Sequence, residues 1–154
     1  MNEWTTTTSS LEETRSLGRT LGAAVQPGAV ISLVGNLGAG KTQFTSAVAE
    51  GLGIDPEIVS SPTFMLIQEY QGRIPLFHFD TYRLKDSNEF EDLGVDEYFY
   101  GEGVCLVEWG DRFPELLPEE LLRIEIKILG ETQREFHFTA RGESSGQLLA
   151  SVSQ

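Results

Sequence analysis

Cysteine, basic side chains and long apolar runs are all scarce in this chain of 154 residues, and each scarcity removes a class of protein. The one cysteine, Cys105, cannot close an internal disulfide, and its neighbours Val104 and Leu106 mark it as a small core residue of a strand. Eleven basic side chains stand against 24 acidic ones, a formal net charge of −13. A field of that sign repels nucleic-acid phosphates unless the few arginines are clustered, and argues against strong direct binding of RNA or DNA. The acidic excess serves solubility or offers a docking face to a basic partner. No apolar run approaches the length that spans a bilayer, and residues 1–10 carry neither the basic nor the apolar part of a secretory signal, so we expect a cytoplasmic protein with no membrane contact. There is no internal repeat. One domain over residues 1–154 suits this length, with 1–9 and 142–154 expected to be loosely ordered.

What the chain does have is concentrated in eight residues. Gly35-Asn36-Leu37-Gly38-Ala39-Gly40-Lys41-Thr42 satisfies the spacing G-x-x-x-x-G-K-[ST], directly after the apolar run Ala29 to Val34. Glycines at this spacing let the backbone turn tightly and aim N–H groups at phosphate oxygens. Lys41 adds a mobile positive charge, and Thr42 offers a hydroxyl to magnesium. The following segment has helical spacing at Phe44, Ala47, Val48 and Leu52, which places the partial positive charge of a helix N-terminus at the same point. Gly35, Leu37, Gly38, Ala39, Gly40, Lys41 and Thr42 are therefore the candidate phosphate cradle.

The remaining elements frame this loop. Ser9-Ser10-Leu11-Glu12-Glu13 reads as a capped helix start, continued by Leu17, Leu21 and Val25 and ending near Gln26-Pro27-Gly28. Phe64 to Tyr70 and Ile74 to Asp80 read as two strands of a hairpin around Gln71-Gly72-Arg73. Asp86 to Tyr100 is acidic and aromatic, with short helices expected. Val104 to Val107 is a continuous apolar run, the pattern of a strand buried on both faces. Leu122 to Ile128 and Arg134 to Ala140 alternate strictly and predict a C-terminal antiparallel hairpin. The fold class is α/β, a single P-loop NTPase-like domain whose mixed central sheet is flanked by helices.

A phosphate loop requires an acid at the end of a neighbouring strand to hold or orient magnesium. Two apolar runs end in one: Phe77-His78-Phe79-Asp80 and Val104-Cys105-Leu106-Val107-Glu108. Glu108 ends the longer, uninterrupted run and is the candidate metal ligand beside Thr42. Asp80 then becomes the candidate to orient or activate water, or to contact the metal through its outer shell. Ser60-Ser61-Pro62-Thr63 has the length and polarity of a switch segment that closes on the terminal phosphate. His78 shares a strand face with Asp80 and is read as a core or hydrogen-bonding histidine. Arg83 and Arg134 are candidate phosphate or base contacts, and Trp109 follows Glu108 as a packing residue beside the metal.

Taken together, GNLGAGKT, SPTF at 61–64 preceded by Ser60, HFDTYRL at 78–84, EDLGVDEYF at 91–99 and VEWGDR at 107–112 resemble the TsaE family, the small P-loop ATPases of bacterial tRNA threonylcarbamoyladenosine biosynthesis. The resemblance runs from Leu11 to Ala140. It implies slow hydrolysis of ATP to ADP with Mg2+, in concert with TsaD-like and TsaB-like proteins whose complex attaches threonylcarbamoyl to an adenosine beside the tRNA anticodon. In family terms Thr42 and Glu108 match the metal ligands, Gly38 to Thr42 the phosphate cradle and Thr63 the first switch. Asp80 matches a residue needed for hydrolysis, alongside Lys41. Arg134 matches an arginine near the nucleotide, and the helix start at Ser10 part of the base site. Two other readings stay open: a small-molecule kinase, disfavoured by eight scattered arginines and no lid insertion, and a nucleotide-gated binding module without turnover. A guanine-specific module is disfavoured because N-K-x-D is absent.

Overall fold

The computed structural model describes residues 2–35, 41–59, 67–81, 88, 91, 92, 94–108 and 114–153, with Asp80 described by its backbone. Among the described residues, seven strands form one mixed sheet: β1 (Glu3–Thr8), β2 (Val30–Gly35), β3 (Ile67–Tyr70), β4 (Leu76–Asp80), β5 (Val104–Glu108), β6 (Leu121–Ile128) and β7 (Arg134–Arg141). Their spatial order is β1-β7-β6-β2-β5-β4-β3. The pairs β6/β2, β2/β5 and β5/β4 are parallel, whereas β1/β7, β7/β6 and β4/β3 are antiparallel. The continuous apolar runs lie in the centre because both faces of those strands are covered: β5 is buried at every position and β2 at all but its last. The alternating runs lie outside it, and β7 alternates between buried and partly exposed residues along most of its length.

Helices α1 (Leu11–Ala24), α2 (Lys41–Gly51) and α4 (Glu143–Val152) contribute to one core, with Leu21, Phe44, Val48, Leu149, Ile31, Leu33, Leu106 and Phe136 among its buried members. The short α3 (Val95–Phe99) closes a second core with Phe79, Cys105, Val107 and Leu121. Ser10 caps α1 as its sequence predicts: its Oγ accepts from the Glu13 backbone N–H at 3.1 Å, while a Glu13 carboxylate oxygen accepts from the Ser9 N–H at 3.0 Å. At the other end, the Arg73 guanidinium donates to the carbonyls of Gly22, Ala23 and Val25, satisfying orphan acceptors of the last turn. Gly22 allows α1 to touch α2, because a Cβ there would lie 2.0 Å from the Val48 carbonyl oxygen.

Both chain ends depart from the loose order expected of them. Residues 3–8 add an antiparallel edge strand to β7, with Trp4 against Phe138 at a ring-centroid distance of 5.2 Å. The threonine run lacks apolar alternation, yet its β-branched side chains suit an edge strand once β7 supplies the ladder. Residues 143–152 form α4, with Leu149 and Val152 buried and Glu120 receiving the N–H groups of Ser144 and Ser145 at 3.3 and 3.1 Å. That cap comes from a residue distant in sequence, so no local pattern announces it.

Candidate functional site

Strands β2, β5 and β4 all end at one edge of the sheet. Residue pairing puts Leu33 beside Glu108 and Glu108 beside Asp80, so the segment leading into the phosphate loop and both predicted acids are adjacent. The carboxyl ends of parallel strands are where open α/β sheets hold their ligands, because the following loops diverge there. β2 ends at Gly35, where a Cβ would stand 2.7 Å from the Ile126 carbonyl oxygen of the neighbouring strand, so no larger residue fits without displacement. The helix α2 then starts at Lys41, and the Lys41 ammonium is buried and donates to the Gly35 carbonyl oxygen at 2.9 Å. Thr42, the second residue of the same helix, is exposed. Leu37, Gly38, Ala39 and Gly40, with Thr63, Arg83, Trp109 and the Asp80 side chain, lie outside the described residues.

Glu108 is unusual for a carboxylate in being only 4% exposed. Its Oε2 lies 2.8 Å from Nε2 of His78, which is fully buried on the adjacent strand. His78 is thus a hydrogen-bonding histidine and not a packing one. The Glu108 main chain is held as well: Thr81 donates to its carbonyl oxygen from Oγ1 at 3.0 Å and from the backbone N–H at 3.3 Å. Thr81 is a residue the sequence reading missed, although its position directly after a strand-end acid was a usable signal. Cys105, three strand positions before Glu108, is an inert thiol: burial pushes its pKa up to about 12.

A cavity of about 210 Å3 lies beside the first turn of α2, lined by Leu11, Thr14, Gln43, Glu131, Thr132 and Arg134. It brings together the two distant segments expected near a nucleotide base. Arg134 is oriented there by donating to the carbonyls of Gly130 and Gln133 at 2.9 and 2.8 Å. The Ser10 hydroxyl is spent on the cap of α1, and Leu11 and Thr14 are the residues of that helix on the cavity wall. Gln43, Thr14 and Thr132 were not singled out in sequence, since only the fold places them together. Of the larger cavities, two, of about 330 and 680 Å3, open at the opposite end of the parallel strands, around Gly28 and Val30 and around Pro75 and Gly103. Neither touches Lys41 or Glu108, and size alone does not make them the site.

The donor set suits magnesium held largely by a phosphate ligand. Among the described residues, no group of three or more His, Cys, Asp or Glu side chains is gathered as a protein-only metal cage. Magnesium at a nucleotide takes most of its ligands from phosphate and water and needs one or two protein oxygens, which Thr42 and Glu108 can supply.

A mixed sheet with a strand, phosphate-loop spacing and helix at its carboxyl edge defines the P-loop NTPase-like class of α/β domains. The chain belongs to the TsaE family: residues 8–136 match the family model described as threonylcarbamoyl adenosine biosynthesis protein TsaE. It is 51% identical over 144 residues to the tRNA threonylcarbamoyladenosine biosynthesis protein TsaE of Bacillus subtilis, covering 93% of this chain and 89% of that protein. The corresponding protein of Treponema pallidum is 44% identical over 126 residues, covering 82% of this chain and 93% of its own. Among solved structures, Bacillus subtilis YdiB superposes with a TM-score of 0.83 at 43% identity, over 98% of this chain and 94% of that one. No helix among the described residues is long and apolar enough to cross a membrane.

Proposed function

We propose that this protein is a magnesium-dependent ATPase that supports threonylcarbamoyl modification of a tRNA adenosine, acting in the cytoplasm with TsaD-like and TsaB-like proteins. The observation that supports this most is that the Lys41–Gly35 hydrogen bond and Glu108, paired with Leu33, lie at one sheet edge in a chain of the TsaE family. In this reading Lys41 exchanges its Gly35 carbonyl partner for phosphate oxygens, and the N–H groups of residues 38–42 complete the cradle. The metal, held by Thr42 and Glu108, would offset charge developing on the phosphates. Asp80 orients the attacking water and Thr63 closes the first switch, while the cavity walled by Leu11 and Arg134 receives the base. The charge of −13 suits a chain that acts on a protein complex and leaves tRNA binding to its partners.

The test is phosphate release from ATP, with magnesium and with a chelator, by the protein alone and with purified TsaD-like and TsaB-like partners. Release that requires magnesium and rises with the partners is expected, and Asp80→Asn should lower it by about a hundredfold while ATP affinity stays within about twofold of the parent. Transfer of the phosphate to a small molecule would make the protein a kinase. Nucleotide binding with no release under any condition would make it a gated binding module.

A further inference from the structure

The phosphate-loop reading assigns no task to His78, yet the most buried polar contact of the site is its bond to Glu108. Both side chains lie on the sheet face that α2 covers, where their strand neighbours Leu76 and Leu106 belong to the core. His78 is fully buried, its Nε2 is 2.8 Å from Glu108 Oε2, and its Nδ1 has no hydrogen-bond partner among the described residues. An apolar side chain would fill such a position without burying an unsatisfied nitrogen. The imidazole is therefore not explained by packing, and its one recorded polar bond goes to the strand-end carboxylate.

We propose that His78 is a positioning residue that fixes which oxygen of Glu108 faces a nucleotide-bound divalent cation; this rests on the reading of Glu108 as the metal ligand. An ionised carboxylate has only acceptors, so Nε2–H is the donor and Oε2 is the held oxygen. The Glu108 main chain is anchored independently by Thr81 and by its place between β2 and β4. With the backbone and one oxygen fixed, rotation about the last side-chain torsion is blocked, and the second oxygen is the one presented. This is the division of labour found where an outer partner orients a metal-binding carboxylate.

The test uses Mn2+ as the cation, read by its electron paramagnetic resonance, on purified protein saturated with ADP. The parent should bind Mn2+ and Glu108→Gln should not; parent-like binding by Glu108→Gln would overturn the metal assignment itself. His78→Leu should weaken Mn2+ binding about ten- to a hundredfold, while ADP affinity measured with a chelator stays within about twofold of the parent's. His78→Gln places an amide nitrogen near the position of Nε2 and should recover most of the loss. Parent-like Mn2+ binding by His78→Leu, or a His78→Gln variant as weak as His78→Leu, would overturn the positioning role while leaving the metal assignment standing. Should His78→Leu not fold, the parent decides the matter: it has two histidines, so 15N-labelled imidazole signals are readily assigned. Adding Mg2+ to the ADP complex should move the His78 ring signals in the parent and not in Glu108→Gln; unmoved signals in the parent would overturn the proposal.

Discussion

The parallel half of the sheet and its antiparallel half bury different things. In β7 and β6 the interior is apolar, with Phe136, Phe138, Ile124 and Ile126 inside and partly exposed or exposed residues between them. Across β2, β5 and β4 the interior also holds Ser32, His78 and Glu108, and Lys41 is buried at the start of the adjoining helix. Burying such groups is costly unless each is bonded. The recorded bonds, Lys41 to the Gly35 carbonyl and His78 to Glu108, are local to the carboxyl edge. One half of the protein is organised for stability, and the other accepts a stability cost at a single edge to keep charge dry and oriented.

That contrast breaks most sharply at Lys41. Lys41→Ala should lower phosphate release by on the order of a thousandfold and weaken nucleotide binding, since a buried donor to developing charge is lost. The same substitution should leave the melting temperature of the nucleotide-free protein within about 3 °C of the parent's or raise it, because a cation at a helix N-terminus opposes the helix dipole. A large fall in melting temperature would show that Lys41 holds the fold as well as the ligand. Phosphate release and a thermal melt on one preparation distinguish these outcomes.

The mirror experiment lies in the antiparallel half. Phe138 is fully buried and packs on Trp4, so Phe138→Ala should cost about 3–5 kcal/mol, a drop on the order of 10 °C in melting temperature. Nucleotide affinity, titrated well below the melting point, should not change. If affinity falls in proportion to stability, the two halves are coupled and the division is wrong.

The smallest effect sharpens the comparison at the chain end. Hydrogen bonds from the Ser145 side chain, then from the Ser145 and Ser144 backbone, hold the Glu120 carboxyl below its ordinary range at the start of α4. Because the folded value is the depressed one, this contribution is present above the ordinary glutamate range and is lost as pH falls through the folded value. The group is largely exposed, so solvent screens most of the effect. Glu120→Gln should lower the melting temperature by no more than about 2 °C at pH 7, with the difference disappearing as the pH falls through the depressed folded value. A difference that persists in acid would trace the loss to packing and not to charge.

The alternation of Arg134 to Ala140 and the continuous run at Val104 to Val107 made β7 and β5 legible, because side-chain periodicity records which faces meet water. The cap at Ser10 was legible for a similar reason: its bonds span three and four residues. Strand β1 was not, since a threonine run carries no apolar face and becomes a strand only when β7 offers its edge.

By itself, the sequence determined the spacing of the phosphate loop, the strands that end in Asp80 and Glu108, the family, and the absence of charge suited to nucleic acid, all properties of neighbouring residues or of totals. Tertiary structure alone decided that Glu108 lies beside both Leu33 and Asp80, that His78 rather than another group bonds it, and that Leu11, Gln43 and Arg134 wall one cavity. Those pairings join residues tens of positions apart. Strand order and register set them, and register follows from how whole faces are buried together, a quantity that no local stretch of chain contains.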